Sequence, residues 1–218
     1  AEARSQAGID KFELLGMDAC LMGHLEVMSA LEPHARYAVL SQETEPAVGW
    51  AYTAFLNALQ RNPNIDGGEL GKLIVDSYID QDQRVLDDDA REAWVGRSGR
   101  APSAAQLAGE LRRAVTLTAV DLSQVGSLME RVNDLAYQMQ SQPQQAVAKA
   151  RSYTQSFTSV FGPQVPPSYL DLGHFAYLLK QVSKDQKLNT AADEVLRGLG
   201  QTIVAEKHGQ DKPGATGV

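Results

Sequence analysis

Apolar residues recur along this chain with two different periods, and the places where the period changes mark its elements. Phe12 to Met17 has few turn formers and reads as a buried strand of the kind found in parallel sheets. Leu21, Leu25, Met28 and Leu31 then step by four, three and three, one apolar face of a helix that follows at once and that Pro33 stops. Tyr37-Ala38-Val39-Leu40 is a second strand, closed by the polar cluster from Ser41 to Pro46. Ala51 to Leu59 is helical, and Pro63 with Gly67-Gly68 breaks the chain. Residues 1–65 thus predict a strand–helix–strand–helix unit, hence a parallel pair joined by a right-handed crossover.

Beyond this unit the helical period dominates. Asp66 and Glu69 form a start like a capping box for a helix through Leu70, Leu73, Ile74 and Tyr78. Residues 80–104 are polar and punctuated, and read as a loop or insertion. Val115 to Val120 is a third strand, and Val125, Leu128, Val132, Leu135 and Met139 make a strong amphipathic helix. A glutamine-rich turn surrounds Pro143, and further helices are predicted over 144–157, 171–183 and 190–206, the middle one capped by Asp171. The glycine-rich tail from His208 to Val218 reads as a flexible loop. The class this order implies is α/β: a mostly parallel sheet flanked by helices, with a helix-rich half over 115–207.

Bulk properties narrow the function more than the fold. A chain of 218 residues buries a sizeable core as one domain, or one with an appendage. Hydrophobic content of 43% and charged content of 22% are ordinary for a globular protein. The net charge of −7 argues against non-specific nucleic-acid binding, which needs a basic face. No apolar run approaches the roughly 18 residues of a membrane span, and no signal-peptide pattern opens the chain. The abrupt polar start at Ala1 reads as a processed or trimmed end.

The candidate chemistry lies in Leu14-Leu15-Gly16-Met17-Asp18-Ala19-Cys20-Leu21-Met22-Gly23, which holds the single cysteine of the chain. A strand ending in Asp-Ala-Cys delivers a thiol to the lip of a sheet, where open α/β proteins bind ligands. A lone cysteine so placed is a candidate nucleophile, although spacing alone favours a small buried hydrophobe. If a helix starts directly after it, the N–H of Cys20 sits at a helix N-terminus, where it helps hold an oxyanion and lowers the thiol pKa. Asp18, two residues earlier on a strand, points the same way as Cys20. A carboxylate there selects a cationic side chain, arginine above all by its bidentate geometry, unless it only caps the helix. Glu43 and Glu45, at the end of the second strand, reach the rim of the same pocket or belong to a solvated loop. Trp50 and Tyr52 line a cleft or simply pack. Asp87-Asp88-Asp89 lacks the spaced ligands of a calcium loop and reads as a solvated charge run.

Two stretches carry a family resemblance. Gly16-Met17-Asp18-Ala19-Cys20-Leu21-Met22-Gly23-His24-Leu25-Glu26-Val27 resembles the nucleophile motif of the clostripain-like cysteine peptidases, and Leu40 to Tyr52 resembles that family's serine–acidic–proline–glycine–tryptophan landmark. Weaker echoes lie at Thr118 to Ser123 and Tyr169 to Phe175. The resemblance implies a caspase–haemoglobinase fold, of which this chain holds an incomplete portion. It implies that Cys20 attacks a scissile carbonyl to form a thioester, that Asp18 occupies the family's acidic position, and that the peptide or protein substrate carries Arg or Lys before the cut. The family's base is a histidine followed by glycine, upstream of the nucleophile. None of His24, His34, His174 or His208 has that setting, so the base is expected on an upstream segment, absent or a separate chain of the same precursor. By resemblance alone the family is often secreted or held at the cell envelope and cuts itself between the two segments. No cofactor is required, and calcium enters only because some members depend on it. The rival expectation is an inert peptidase-like domain that binds a partner. A metal hydrolase built on Asp18 is disfavoured by the lack of clustered ligands.

Overall fold

The structure, a computed structural model, describes residues 2–95, 103–159, 162 and 164–218. In chain order the elements are α1 (Glu2–Gln6), β1 (Phe12–Gly16), α2 (Leu25–Leu31), β2 (Ala35–Leu40), α3 (Tyr52–Arg61), α4 (Gly67–Ser77), α5 (Gln83–Leu86), α6 (Asp88–Val95), α7 (Ala104–Ala114), β3 (Thr116–Asp121), α8 (Val125–Met139), α9 (Gln144–Tyr153), α10 (Leu172–Val182), α11 (Gln186–Thr202) and β4 (Ile203–His208).

The four strands form one sheet in the order β1-β2-β3-β4. The α/β class holds, but the sheet is mixed rather than mostly parallel. Only β1 and β2 run parallel, with Leu14 opposite Tyr37, while β2–β3 and β3–β4 are antiparallel. Strand direction follows from the end of the sheet at which the chain re-enters. The helix α2 carries it back for a parallel return, whereas β4 follows α11 without a break and re-enters in the opposite sense.

Side chains of β2 and β3 alternate between two cores, as a period of two requires. Ala38, Leu40 and Val120 face one layer, which holds Met28 of α2, Leu128 and Leu135 of α8, Leu179 of α10 and Val195 of α11. Val39, Leu117 and Ala119 face the other, with Phe55 of α3, Ile74 and Val75 of α4 and Ala108 of α7. The strand β1 is not the buried strand the sequence suggested. Phe12, Glu13 and Gly16 are exposed because it pairs with β2 on one side and with no described strand on the other.

Local capping signals were legible. Asp66 accepts the N–H of Glu69 and opens α4, and Asp171 accepts that of His174 and opens α10. Three other expectations need correction. Residues 80–104 are not simply a loop, since α5, α6 and the start of α7 lie there, with residues 96–102 outside the described set. The helix expected over 190–206 ends at Thr202, because the β-branched pair Ile203-Val204 finds an open edge at β3 and becomes β4. The tail from His208 is not free. Gly209 donates to the Val115 carbonyl and Asp211 to that of Arg113, and Ala215 and Val218 are buried.

What fixes the tail is Asp171, which is fully buried and accepts from Gln42 Nε2 (3.0 Å), Thr216 N (2.6 Å) and Thr216 Oγ1 (2.7 Å) besides capping α10. One carboxylate thereby ties the end of β2, the start of α10 and the C-terminal segment together. Asp171→Ala removes the cap and strands buried donors, so a loss of about 3 kcal/mol in unfolding free energy is expected, read from the urea midpoint. Asp171→Asn, which keeps part of the acceptor set, is expected to lose less.

Candidate active site

The segment after β1 does not enter a helix. It runs beside the continuation of β2, with Met17 N donating to Val39 O (3.0 Å), Leu21 N to Glu43 O (3.1 Å) and Gly23 N to Ser41 O (2.6 Å). The close approach at Gly23 leaves no room for a side chain, since a Cβ there would lie 2.8 Å from Gln42 N. Leu21 sits in the left-handed region at φ 57° to complete the turn. The helix α2 begins only at Leu25, so Cys20 lies ahead of it, and the helix N-terminus expected to assist the thiol is not at the nucleophile.

Cys20 is exposed, as a nucleophile must be. Its Sγ receives the backbone N–H of Glu45 at 3.2 Å and lies 3.9 Å from the Glu45 carbonyl. Asp18, also exposed, accepts on Oδ2 the N–H of Trp50 (3.1 Å) and the hydroxyl of Tyr52 (3.0 Å). It does not cap α2. The two residues share a site not through strand alternation, since both lie beyond β1, but because the loop over residues 43–52 meets each of them. Gly49 makes that contact feasible: it is at φ +65°, and a Cβ on it would come within 2.6 Å of Asp18 Oδ2.

Glu45 and Glu43 have different fates. Glu45 gives Oε2 to the Trp50 indole N–H at 2.8 Å and sits close enough to the Asp18 carboxyl to hydrogen bond with it. Burial first, then the hydrogen bond and charge of Asp18, push its pKa up to about 9 against the opposing indole N–H. Glu43 is occupied elsewhere. It is buried in an ion pair with Lys212 and accepts from Thr44 N (2.7 Å) and Thr158 N (3.2 Å). Burial raises its pKa, but these partners outweigh that and hold the carboxyl below its ordinary value. Its oxygens tie the C-terminal tail down rather than lining the Cys20 site with Asp18 and Glu45.

Trp50 is buried and organises the site. Its ring lies on Gly16, where a Cβ would come within 2.7 Å of Cζ3. Its carbonyl accepts Arg84 Nη2 at 2.8 Å, and Arg84 is held in turn by Asp82 through Nε (3.0 Å) and Nη2 (2.6 Å). Asp82 also caps α5. Tyr52, Asp82 and Arg84 line a cleft of about 250 Å³. This Asp82–Arg84 arm was missed by the sequence reading. The cap at Asp82 had a local signal, but its reach to Trp50 had none.

None of the four histidines meets the thiol. His24 packs against Tyr169 at a 47° tilt with centroids 4.5 Å apart, His174 Nδ1 accepts Gln155 N–H at 3.0 Å, and His208 Nδ1 pairs with Glu206 at 2.7 Å. His34 Nδ1 is buried without a partner. Among the described residues no group of three or more His, Cys, Asp or Glu side chains is arranged for a metal. In the acidic run Asp87 accepts Ala90 N–H and Asp88 pairs with Arg91.

An exposed thiol and two carboxyls on the loops at one end of an α/β sheet are the arrangement of a thiol-dependent hydrolase. The family comparison agrees and is more specific: the model of the clostripain family, peptidase C11, matches residues 3–215. The chain belongs to that family of cysteine peptidases. No curated protein sequence matches it. Among solved structures, it is similar to a clostripain from Bacteroides thetaiotaomicron in complex with a peptide inhibitor, at 15% identity and TM-score 0.64, over 100% of this chain and 81% of that one. A secreted C11 cysteine protease from the same organism gives 17% identity and TM-score 0.64, over 98% of this chain and 50% of that one. A B. fragilis cysteine protease gives 20% and 0.52, over 94% and 71%. At these identities the likeness speaks for the fold.

If Arg84 holds Trp50 as described, Arg84→Met strands the buried Asp82 carboxylate and frees the Trp50 carbonyl. A loss of about 3 kcal/mol in unfolding free energy is expected, with a changed near-ultraviolet tryptophan signal. Arg84→Lys, which cannot bridge both partners, is expected to recover only part of either.

Proposed function

We propose that this chain carries the nucleophile of a cysteine endopeptidase that cuts peptide bonds after arginine or lysine. The observation that carries this reading is the position of the exposed Cys20 thiol beside two carboxyls, Asp18 and Glu45, whose only near cation, among the described residues, is already bound to Asp82. The acids attract the guanidinium or ammonium group of a substrate side chain and so place the following carbonyl at Sγ. The thiolate attacks that carbonyl, the amine leaves with a proton, and water hydrolyses the thioester. The inhibitor of one structural relative carries the sequence VLTK, which ends in lysine.

The base that takes the thiol proton is not one of the four histidines. It belongs, on this reading, to an upstream segment, and the outer edge of β1, unpaired among the described residues, offers such a segment a place to add a strand. Self-cleavage between the two segments, a caspase-type arrangement and secretion form part of the same proposal; the last is supported by a relative described as secreted. No described helix is long and apolar enough to cross a membrane. Calcium dependence finds no support in the donor sets described above.

The test is covalent labelling. An arginyl chloromethyl ketone is expected to alkylate Cys20 fast at neutral pH and its alanyl counterpart slowly, by mass spectrometry of the labelled peptide. Asp18→Asn is expected to slow the arginyl reagent by about tenfold to a hundredfold, the worth of one charge-assisted contact, and to leave the alanyl reagent unchanged. Equal and slow labelling by both reagents in the unaltered protein would mean that the domain is inert and only binds a partner.

A further inference from the structure

Two acids and too few donors meet beside Cys20. Asp18 Oδ2 takes two donors, Trp50 N and Tyr52 Oη, and Glu45 Oε2 takes one, the Trp50 indole. Glu45 Oε1 is sealed from solvent and receives none. If both carboxyls were ionised, a buried oxygen would go unpaired while two like charges touched, and each circumstance costs free energy. One proton on Glu45, shared with Asp18, removes the like-charge repulsion and leaves the buried Oε1 part of a neutral acid. The titratable and charged groups facing the pair are Cys20 on the same loop, Tyr52 at the start of α3, Tyr78 at the end of α4 and Arg84 in α5. Among these Arg84 is the cation, and its Nε and Nη2 already serve Asp82 and the Trp50 carbonyl. The tyrosine hydroxyls cannot supply a charge, since burial first and the acids second raise the pKa of both.

We infer that Asp18 and Glu45 hold one shared proton while the site is empty, and that the guanidinium or ammonium group of a substrate side chain displaces it, so that recognition of a basic residue is an exchange of a cation for a proton. This rests on the proposed preference for arginine or lysine and adds the chemistry by which the site meets it. The balance is simple: the hydrogen-bonded acid–carboxylate pair and the cation give two carboxylates around the cation, and one proton passes to the buffer.

The direction of the pH effect follows. With Glu45 raised to about 9, it is protonated across neutral pH while the site is empty, and a bound cation draws its pKa down. Between those two values each binding event releases a proton, so affinity for a cation rises about tenfold per pH unit and levels off above about 9. A neutral side chain of the same shape gains nothing from the change in pH. Exposed Asp18 gives the incoming cation its first contact, and Glu45 beneath it supplies the proton.

The experiment is calorimetric titration of the Cys20→Ser protein, which removes the thiol's own titration, with acetyl-arginine amide and its neutral isostere acetyl-citrulline amide. Each titration is run at neutral pH in phosphate and in Tris, whose ionisation enthalpies differ, so that the difference in heat counts protons. About one proton released per acetyl-arginine amide is expected, with tighter binding as pH rises and no such release for acetyl-citrulline amide. The infrared band of a protonated carboxylic acid in the unliganded protein is expected to vanish on binding, a readout that needs no further variant. Glu45→Gln, whose amide donates to Asp18 as the protonated acid does, is expected to abolish both the release and the pH slope. Binding of acetyl-arginine amide without proton release would overturn the exchange and leave the basic preference standing. No discrimination between the two amides would overturn the basic preference and the exchange with it.

Discussion

The placement of Trp50 is the constraint on which the rest of the site depends. Its backbone N–H holds Asp18, its indole N–H holds Glu45, its carbonyl is held by Arg84, and its ring lies on Gly16 where β1 ends. A buried aromatic residue cannot shift without opening a void in a close-packed interior, so everything bonded to it inherits its rigidity. The thiol is fixed by the same loop, through the backbone of Glu45. Nucleophile and acids are therefore positioned by one segment, the loop that follows β2, not by three independent supports.

This arrangement separates two roles that acidic residues of one loop perform. Glu43 and Glu45 lie two apart and end in opposite electrostatic circumstances. Glu43 meets Lys212 and two backbone N–H groups, stays ionised and fastens the C-terminal segment. Glu45 meets another acid and an indole, and is driven toward its neutral form. Burial acts on both, and the partner decides the sign. The same principle holds at Asp171, whose donors join three distant parts of the chain into one buried knot. The tail is ordered by these acids rather than by any propensity of its own glycine-rich sequence.

The open edge of β1 and the absence of a histidine partner for Cys20 bear on one another. A cysteine peptidase's thiol needs a base, and on the proposed reading the edge of β1, unpaired among the described residues, is where a further strand would bring one. The chain covers 81% of one structural relative and 50% of another. On the proposed mechanism the N-terminus of α2 does not assist the nucleophile, since that helix starts five residues later.

Residues that act on near neighbours left their mark in the primary structure. The caps at Asp66 and Asp171, the stripe from Val125 to Met139, and the strands around Leu14, Val39 and Leu117 were all readable, because each depends on a period or a side chain a few positions away. Cys20 and Asp18 stood out through a motif, although the reason offered for their shared direction was strand alternation and the structure provides a loop contact instead. The antiparallel pairing of β3 and β4, the ordering of the tail and the meeting of Asp18 with Glu45 had no such trace. Their partners are tens of residues apart (Trp50 and Asp18 by 32, Lys212 and Glu43 by 169) and are chosen by where the chain re-enters the sheet. Contacts of that range depend on the closed fold, which is why composition and period named the acids but only packing decided which of them shares a proton and which forms an ion pair.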